Sequence, residues 1–202
     1  SDDLYQIASP DGGARLLFAE VDSGCGIFQL VAQLDRNGRH IRLCYDDNGL
    51  PHSIYDGSGR RFQPVFSSIC LHDNDPDFDP AGERDVFVSE DERFYVNRLT
   101  SVTFNGKELV RYDYDGYGDL TAVYGRDGKK LRGFAYRNHI MVEHSQPDGL
   151  VSRYEYDRYD TDGKVLKSSN NLGEEWTFDY RKDHTVVTDA LGRTEVYGFD
   201  EN

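Results

Sequence analysis

The residues whose types and spacing are best suited to chemistry are four aspartates at alternate positions, Asp73, Asp75, Asp77 and Asp79. Carboxylates are hard oxygen ligands, and a loop that curls brings every second one towards a common point, as calcium requires. A calcium loop of the EF-hand kind opened at Asp73 needs glycine at position 78 and glutamate at position 84, where this chain has Phe78 and Arg84. The segment also contains Pro76 and Pro80. The expectation is an exposed, mobile acidic loop that holds no calcium at micromolar levels.

Other reactive side chains lack partners at useful spacing. Gly57-Ser58-Gly59 has Asp56 and Arg60 where a nucleophile elbow has its outer glycines, and a hairpin turn is the wrong setting for one. The six histidines are scattered without an HExxH pattern, and His139 and His144 read as lying on opposite faces of one strand. Cys25, Cys44 and Cys70 form no CxxC pair and no zinc ligand set. Cys25 sits between two glycines with no base nearby in sequence. Many carboxylates are present, yet nothing selects two of them as a glycosidase pair. No catalytic residue, metal ligand or cofactor is assigned, and the expectation is that the chain is not an enzyme.

Charge narrows the partners. Asp and Glu number 37 against 23 Lys and Arg, a net charge of -14, so nucleic acid and anionic lipid are repelled before local contact forms. A basic partner remains open. No run of apolar residues is long enough for a membrane helix, and no leader is apparent. The start at Ser1-Asp-Asp reads as cut from something longer.

The elements that must position these side chains are short strands. A turn phrase, Asp or Asn followed three positions later by Gly, recurs from Asp35 to Gly38, Asp46 to Gly49, Asp56 to Gly59, Asp115 to Gly118, Asp160 to Gly163, Asn170 to Gly173 and Asp189 to Gly192. Asp or Asn opens such a turn by bonding backbone ahead of it, and Gly accepts the left-handed conformation that closes it. A turn about every ten residues leaves room only for hairpins. Aromatic residues are 13% of the chain, which suits half-buried pleated strands, whereas apolar residues at helical period are absent beyond a turn or two. Before or within the turns stand Tyr45, Tyr55, Tyr112, Tyr114, Tyr156 and Tyr159, each followed by Asp. The spacing through Tyr114, Tyr136, Tyr156, Tyr180 and Phe199 stays near 21, two strands and two turns.

The segment Tyr112-Asp-Tyr-Asp-Gly-Tyr-Gly-Asp-Leu, continuing to Tyr136, resembles the YD repeat of the Rhs family, and Tyr45-Asp-Asp-Asn-Gly-Leu50 and Leu191-Gly-Arg-Thr-Glu-Val-Tyr197 resemble further copies. The likeness runs over residues 34–66 and from 109 to the end. It divides the chain into N-terminal strands at 1–33 that match poorly, repeats at 34–66, an acidic insertion at 67–98 and repeats at 99–202. Asp79-Pro-Ala-Gly82 matches in part the DPxG phrase at which Rhs proteins release their toxin. Glu83 stands where that phrase has Leu, and repeats continue downstream, so it reads as ordinary loop.

The resemblance implies an all-β fold of successive antiparallel hairpins in one long curved sheet, part of a hollow shell. It implies a structural role in bacteria: enclosing a C-terminal toxin, with delivery to a neighbouring cell through type VI secretion. The partners implied are the toxin cargo, the remaining shell of the parent polypeptide and proteins of the secretion apparatus. Two rivals stand beside it. Tyrosine and tryptophan faces suit a carbohydrate- or cell-surface-binding module, and a glycan hydrolase with unidentified carboxylates is the other.

Overall fold

A computed structural model describes residues 4–71 and 95–199. The described residues form sixteen strands, beginning with β1 (Leu4–Ala8), β2 (Ala14–Glu20), β3 (Phe28–Asp35), β4 (His40–Tyr45), β5 (Pro51–Tyr55), β6 (Arg61–Cys70), β7 (Tyr95–Phe104) and β8 (Lys107–Tyr114). They continue with β9 (Leu120–Gly125), β10 (Lys130–Arg137), β11 (Ile140–Ser145), β12 (Val151–Tyr156), β13 (Val165–Asn170), β14 (Glu175–Tyr180), β15 (His184–Asp189) and β16 (Thr194–Gly198). Every strand neighbours the next in sequence, in one open antiparallel sheet ordered β1 to β16. The all-β expectation holds, and the N-terminal strands belong to the same sheet. Strand reaches into both ends of the 67–98 segment, through Cys70 in β6 and from Tyr95 in β7.

The chain divides into two compact units, Ser1–Ser67 with Leu99–Val110, and Ser68–Arg98 with Arg111–Asn202. In the first unit, one series of paired residues is apolar. Tyr5 faces Phe18, Ile7 faces Leu16, Leu43 faces Ile54, and Ile54 faces Phe62, whose ring stacks on Phe104 at 5.2 Å. Directly opposed residues in an antiparallel pair share a face, so these positions form apolar stretches of one face, interrupted by Gln33 opposite Leu16 and Ile41. The other face carries Arg42 against Tyr55, with the guanidinium 4.9 Å from the ring centre, and Ser53, fully buried and accepting a 2.8 Å bond from Arg61 Nε.

Among the described residues Ala122, at 3% exposure, is the one buried hydrophobic side chain. The cause lies in the architecture. A sheet normally buries one face against a second layer, and within each unit the described elements form one layer. Leu4, Tyr5, Ile7, Ile41, Tyr197 and Phe199 consequently stay exposed. What close packing exists lies along the sheet: Ala122 faces Gly133, which faces Ser145, and a Cβ at Gly133 would lie 2.5 Å from Ser145 Oγ.

Candidate functional site

The repeated element is the hairpin itself, and its turns are built to one plan. At Asp35, Asp46, Asp56, Asp115, Asn170 and Asp189 the first residue's N–H donates to the carbonyl four positions on, while the glycine N–H donates back to the first residue's carbonyl. The side-chain Oδ1 of each accepts two more N–H groups, two and four positions ahead, as Asp189 does from Leu191 and Arg193, both at 2.9 Å. Gly49, Gly59, Gly118, Gly173 and Gly192 take φ between 75° and 89°, the left-handed region that side chains resist. Four bonds thus close each loop, and register and turn geometry are set together.

Gly163 departs from the expectation. Its φ is not positive, and the β12–β13 loop is instead closed by Asp157, whose N–H donates to the Lys164 carbonyl at 3.0 Å and whose Oδ1 accepts from Lys164 N at 2.7 Å. Asp160 opens a nested turn inside that longer loop. Glycine at 163 answers a close approach, since a Cβ there would lie 2.2 Å from the Arg158 carbonyl oxygen.

The repeat tyrosines give the period a physical meaning. Tyr45 Oη donates to the Leu30 carbonyl at 2.6 Å, Tyr156 to Met141 at 2.9 Å and Tyr180 to Val165 at 2.8 Å, each reaching back fifteen residues onto the preceding strand. Tyr45, Tyr136 and Tyr156 each follow directly on a register shift, the kind of bulge that re-aims a side chain. Burial pushes the phenols of Tyr45, Tyr114, Tyr136, Tyr156 and Tyr180 above the ordinary value, with the carboxylates of Asp119 and Asp115 adding to the effect at Tyr136. Tyr55 lies beneath Arg42, Tyr112 is half-buried in β8, and Phe199 is 54% exposed just past β16.

Side chains also tie turn residues to positions some 20 residues away in the sequence. Gln29 Nε2 reaches the Gly49 carbonyl at 3.5 Å, Arg98 Nε donates to Gly118 at 3.0 Å, and Asn171 Nδ2 donates to Gly149 at 2.8 Å, spans of 20 to 22 residues. His139 Nδ1 lies 2.9 Å from Asp119 Oδ1 across a similar span. His139 is therefore a turn residue at φ 62° beside Asn138 at φ 50°, not a strand residue opposed in face to His144. Both take positive φ because a two-residue hairpin between right-twisted strands demands it.

The sequence reading missed these ties, and it missed several turns. Gly125 to Gly128 and Gln146 to Gly149 close with the same backbone bonds but open on Gly and Gln, with the aspartate in third place. An Asp-Gly ending shared with Ser9-Pro-Asp-Gly12 was the available signal. Asn105-Gly106, both at positive φ, is the tight turn joining β7 and β8.

The two sheet faces of β11–β16 differ in chemistry. One carries His144, Tyr154, Ser168, Trp176, Phe178, Val187, Glu195 and Tyr197 through successive paired positions. Trp176, Phe178, Val187, Asp189, Glu195 and Tyr197 line an open cavity of 760 Å³ there. The other face carries ion pairs, Arg153 with Glu143 at 2.9 Å, Lys167 with Glu175 at 2.9 Å and Arg181 with Asp179.

Cys25 and Cys44 carry free thiols. Among the described residues no cluster of three or more His, Cys, Asp or Glu is placed to hold a metal ion, and no helix is long and apolar enough to cross a membrane. The Asp73 to Asp79 series and Asp79-Pro-Ala-Gly82 lie outside the described residues.

No protein-family model matches the chain. A toxin protein named Tse5 from Pseudomonas aeruginosa is 34% identical over 176 residues, 86% of this chain. A protein named double-stranded DNA deaminase toxin A, from Burkholderia cenocepacia, is 36% identical over 215 residues, 99% of this chain. Both relatives are bacterial toxin proteins. The chain spans 13% of the length of each, and the deaminase activity is stated of the second relative alone. A crystal structure described as TcdB2-TccC3-TEV aligns with 95% of the chain and 12% of its own length at 15% identity, with a TM-score of 0.20 that carries no weight for the fold.

Proposed function

We propose that this chain is a stretch of wall in an Rhs-type YD-repeat shell that encloses the toxic segment of a longer bacterial toxin during delivery to a competing cell, with type VI secretion as the route. One observation carries the reading: hairpins with a common turn and a common tyrosine bond follow one another with a single buried apolar side chain among the described residues. Such a sheet gains stability by continuing along its length and by covering its faces, as a wall does and an isolated domain does not. Similarity to segments of two much longer toxin proteins supports the same reading. The wall itself does no chemistry; it holds cargo through many weak contacts. Its partners are the remaining shell, the cargo and components of the secretion apparatus.

Protease protection in the longer parent polypeptide tests this. The toxic segment should survive trypsin while the wall is intact and become sensitive when residues 99–199 are excised. Equal digestion of the two forms contradicts the reading. The aromatic cavity of β14–β16 favours a second reading, a carbohydrate-binding module, which requires saturable heat of binding to at least one member of a glycan panel.

A further inference from the structure

The geometry points to the Trp176 face of β13–β16 as the side that contacts cargo, and to an extended polypeptide bearing Lys and Arg among apolar residues as the partner it fits. This rests on the shell reading above. On that face the paired strands present Trp176, Phe178, Val187, Asp189, Glu195 and Tyr197. Its only ionised strand positions are Asp189 and Glu195. The cations of these strands and their neighbour, Lys167 and Arg153, point to the opposite face and are paired there with Glu175 and Glu143.

The consequence is an asymmetry of unmet interactions. The ion-paired face is satisfied in water, whereas the aromatic face leaves Trp176 37% and Tyr197 55% exposed in the lining of one open cavity. Its rings also accept cations, as Tyr180 does from Lys164, with Nζ 5.2 Å from the ring centre. Arg193 at the rim is held by Asp189 at 2.6 Å, so it does not offset Glu195. A net charge of -14 adds long-range attraction for a basic chain. The cavity is open to solvent, which suits an extended segment laid across strands better than a folded domain inserted into a cleft.

Trp176 is the single tryptophan, so its emission reports on this face directly. The probe is reduced, carbamidomethylated ribonuclease A, an unfolded basic chain without tryptophan, compared with native ribonuclease A and with the same unfolded chain after succinylation of its lysines. The expected result is a blue shift of Trp176 emission with binding at least about tenfold tighter for the unfolded basic probe than for either control. Tyr197→Ser should weaken it by roughly fivefold, and Val196→Ser, 65% exposed on the other face of the same strand, by less than about twofold. Loss through Val196→Ser with none through Tyr197→Ser overturns the choice of face and leaves the shell reading standing. Equal binding of the succinylated chain overturns the basic partner. Sedimentation as a dimer that Tyr197→Ser dissociates makes a second copy the occupant and overturns the proposal. Absence of binding by any unfolded probe overturns it too, while protease protection in the parent judges the shell reading separately.

Discussion

The Tyr156 hydroxyl donates to the Met141 carbonyl at 2.9 Å, binding the end of β12 to the start of β11 fifteen residues earlier. The same step joins Tyr45 to Leu30 and Tyr180 to Val165, so this bond is a property of the repeat. It couples the tyrosine that precedes a turn to the strand laid down before it, and it holds each hairpin to its own register.

Tyr156→Phe keeps the ring and removes the bond. The expected cost is about 0.5–1.5 kcal/mol, the usual net worth of one hydrogen bond whose acceptor is left part-buried. Urea unfolding measures it; an unchanged midpoint would show that water replaces the phenol without loss.

Gly118 and Gly38 share a left-handed φ, 80° and 78°, but not their surroundings. A Cβ at Gly118 would lie 2.8 Å from Leu71 Cδ2 and 3.2 Å from Arg98 Nη2, whereas none at Gly38 meets anything within 4 Å. Gly38→Ala should therefore cost about 1–2 kcal/mol from backbone strain alone. Gly118→Ala should cost more. Equal losses in urea would show that Leu71 and Arg98 move aside freely and do not pin that turn.

Much of this was legible in the sequence. The Asp-to-Gly phrase located six turns that the structure builds identically, because a carboxylate or amide oxygen two atoms from the backbone can bond the N–H groups ahead of it only in that conformation. The loop around Gly163 was not legible, since its closure depends on Asp157, outside the four-residue phrase. Nor were the ties of Gln29, Arg98 and Asn171 to glycine carbonyls, which join residues some 20 apart and need the strand register before they can be seen. The polarity difference was legible in β14, where Trp176, Phe178 and Tyr180 alternate with Glu175, Thr177 and Asp179, but its continuation across β11–β16 follows from bulges and pairing, which alternation in single strands does not fix.

Acid should loosen the turns in a defined window. The N–H of Arg193 bonded to Asp189 holds that carboxyl below its ordinary value of 3.8, against the opposing effect of desolvation, and the Arg193 side chain adds to the lowering. Asp157 is lowered first by the Lys164 N–H, and Asp56 first by the Arg60 side chain. A lowered folded value means stability that is full above 3.8 and lost as pH falls through the folded value beneath it. Asp189→Asn, which keeps the Oδ1 acceptor as Asn170 does, should match the native urea midpoint closely at neutral pH and lose less of it in acid. Asp189→Ala should fall below both at every pH. A native chain as resistant at low pH as at neutrality would mean that these carboxylates do not hold the turns.

The most direct measurement uses the two faces of a single strand. In a background with Cys25, Cys44 and Cys70 replaced by Ser, Trp176→Cys and Thr177→Cys place thiols at adjacent positions of β14, both exposed in the chain alone. Maleimide should label them at similar rates in the isolated chain. Within the longer parent polypeptide, a wall with an inside and an outside predicts that position 177 keeps its rate while position 176 slows by at least about tenfold until urea opens the shell. Equal labelling of the two positions in the folded parent would contradict the account.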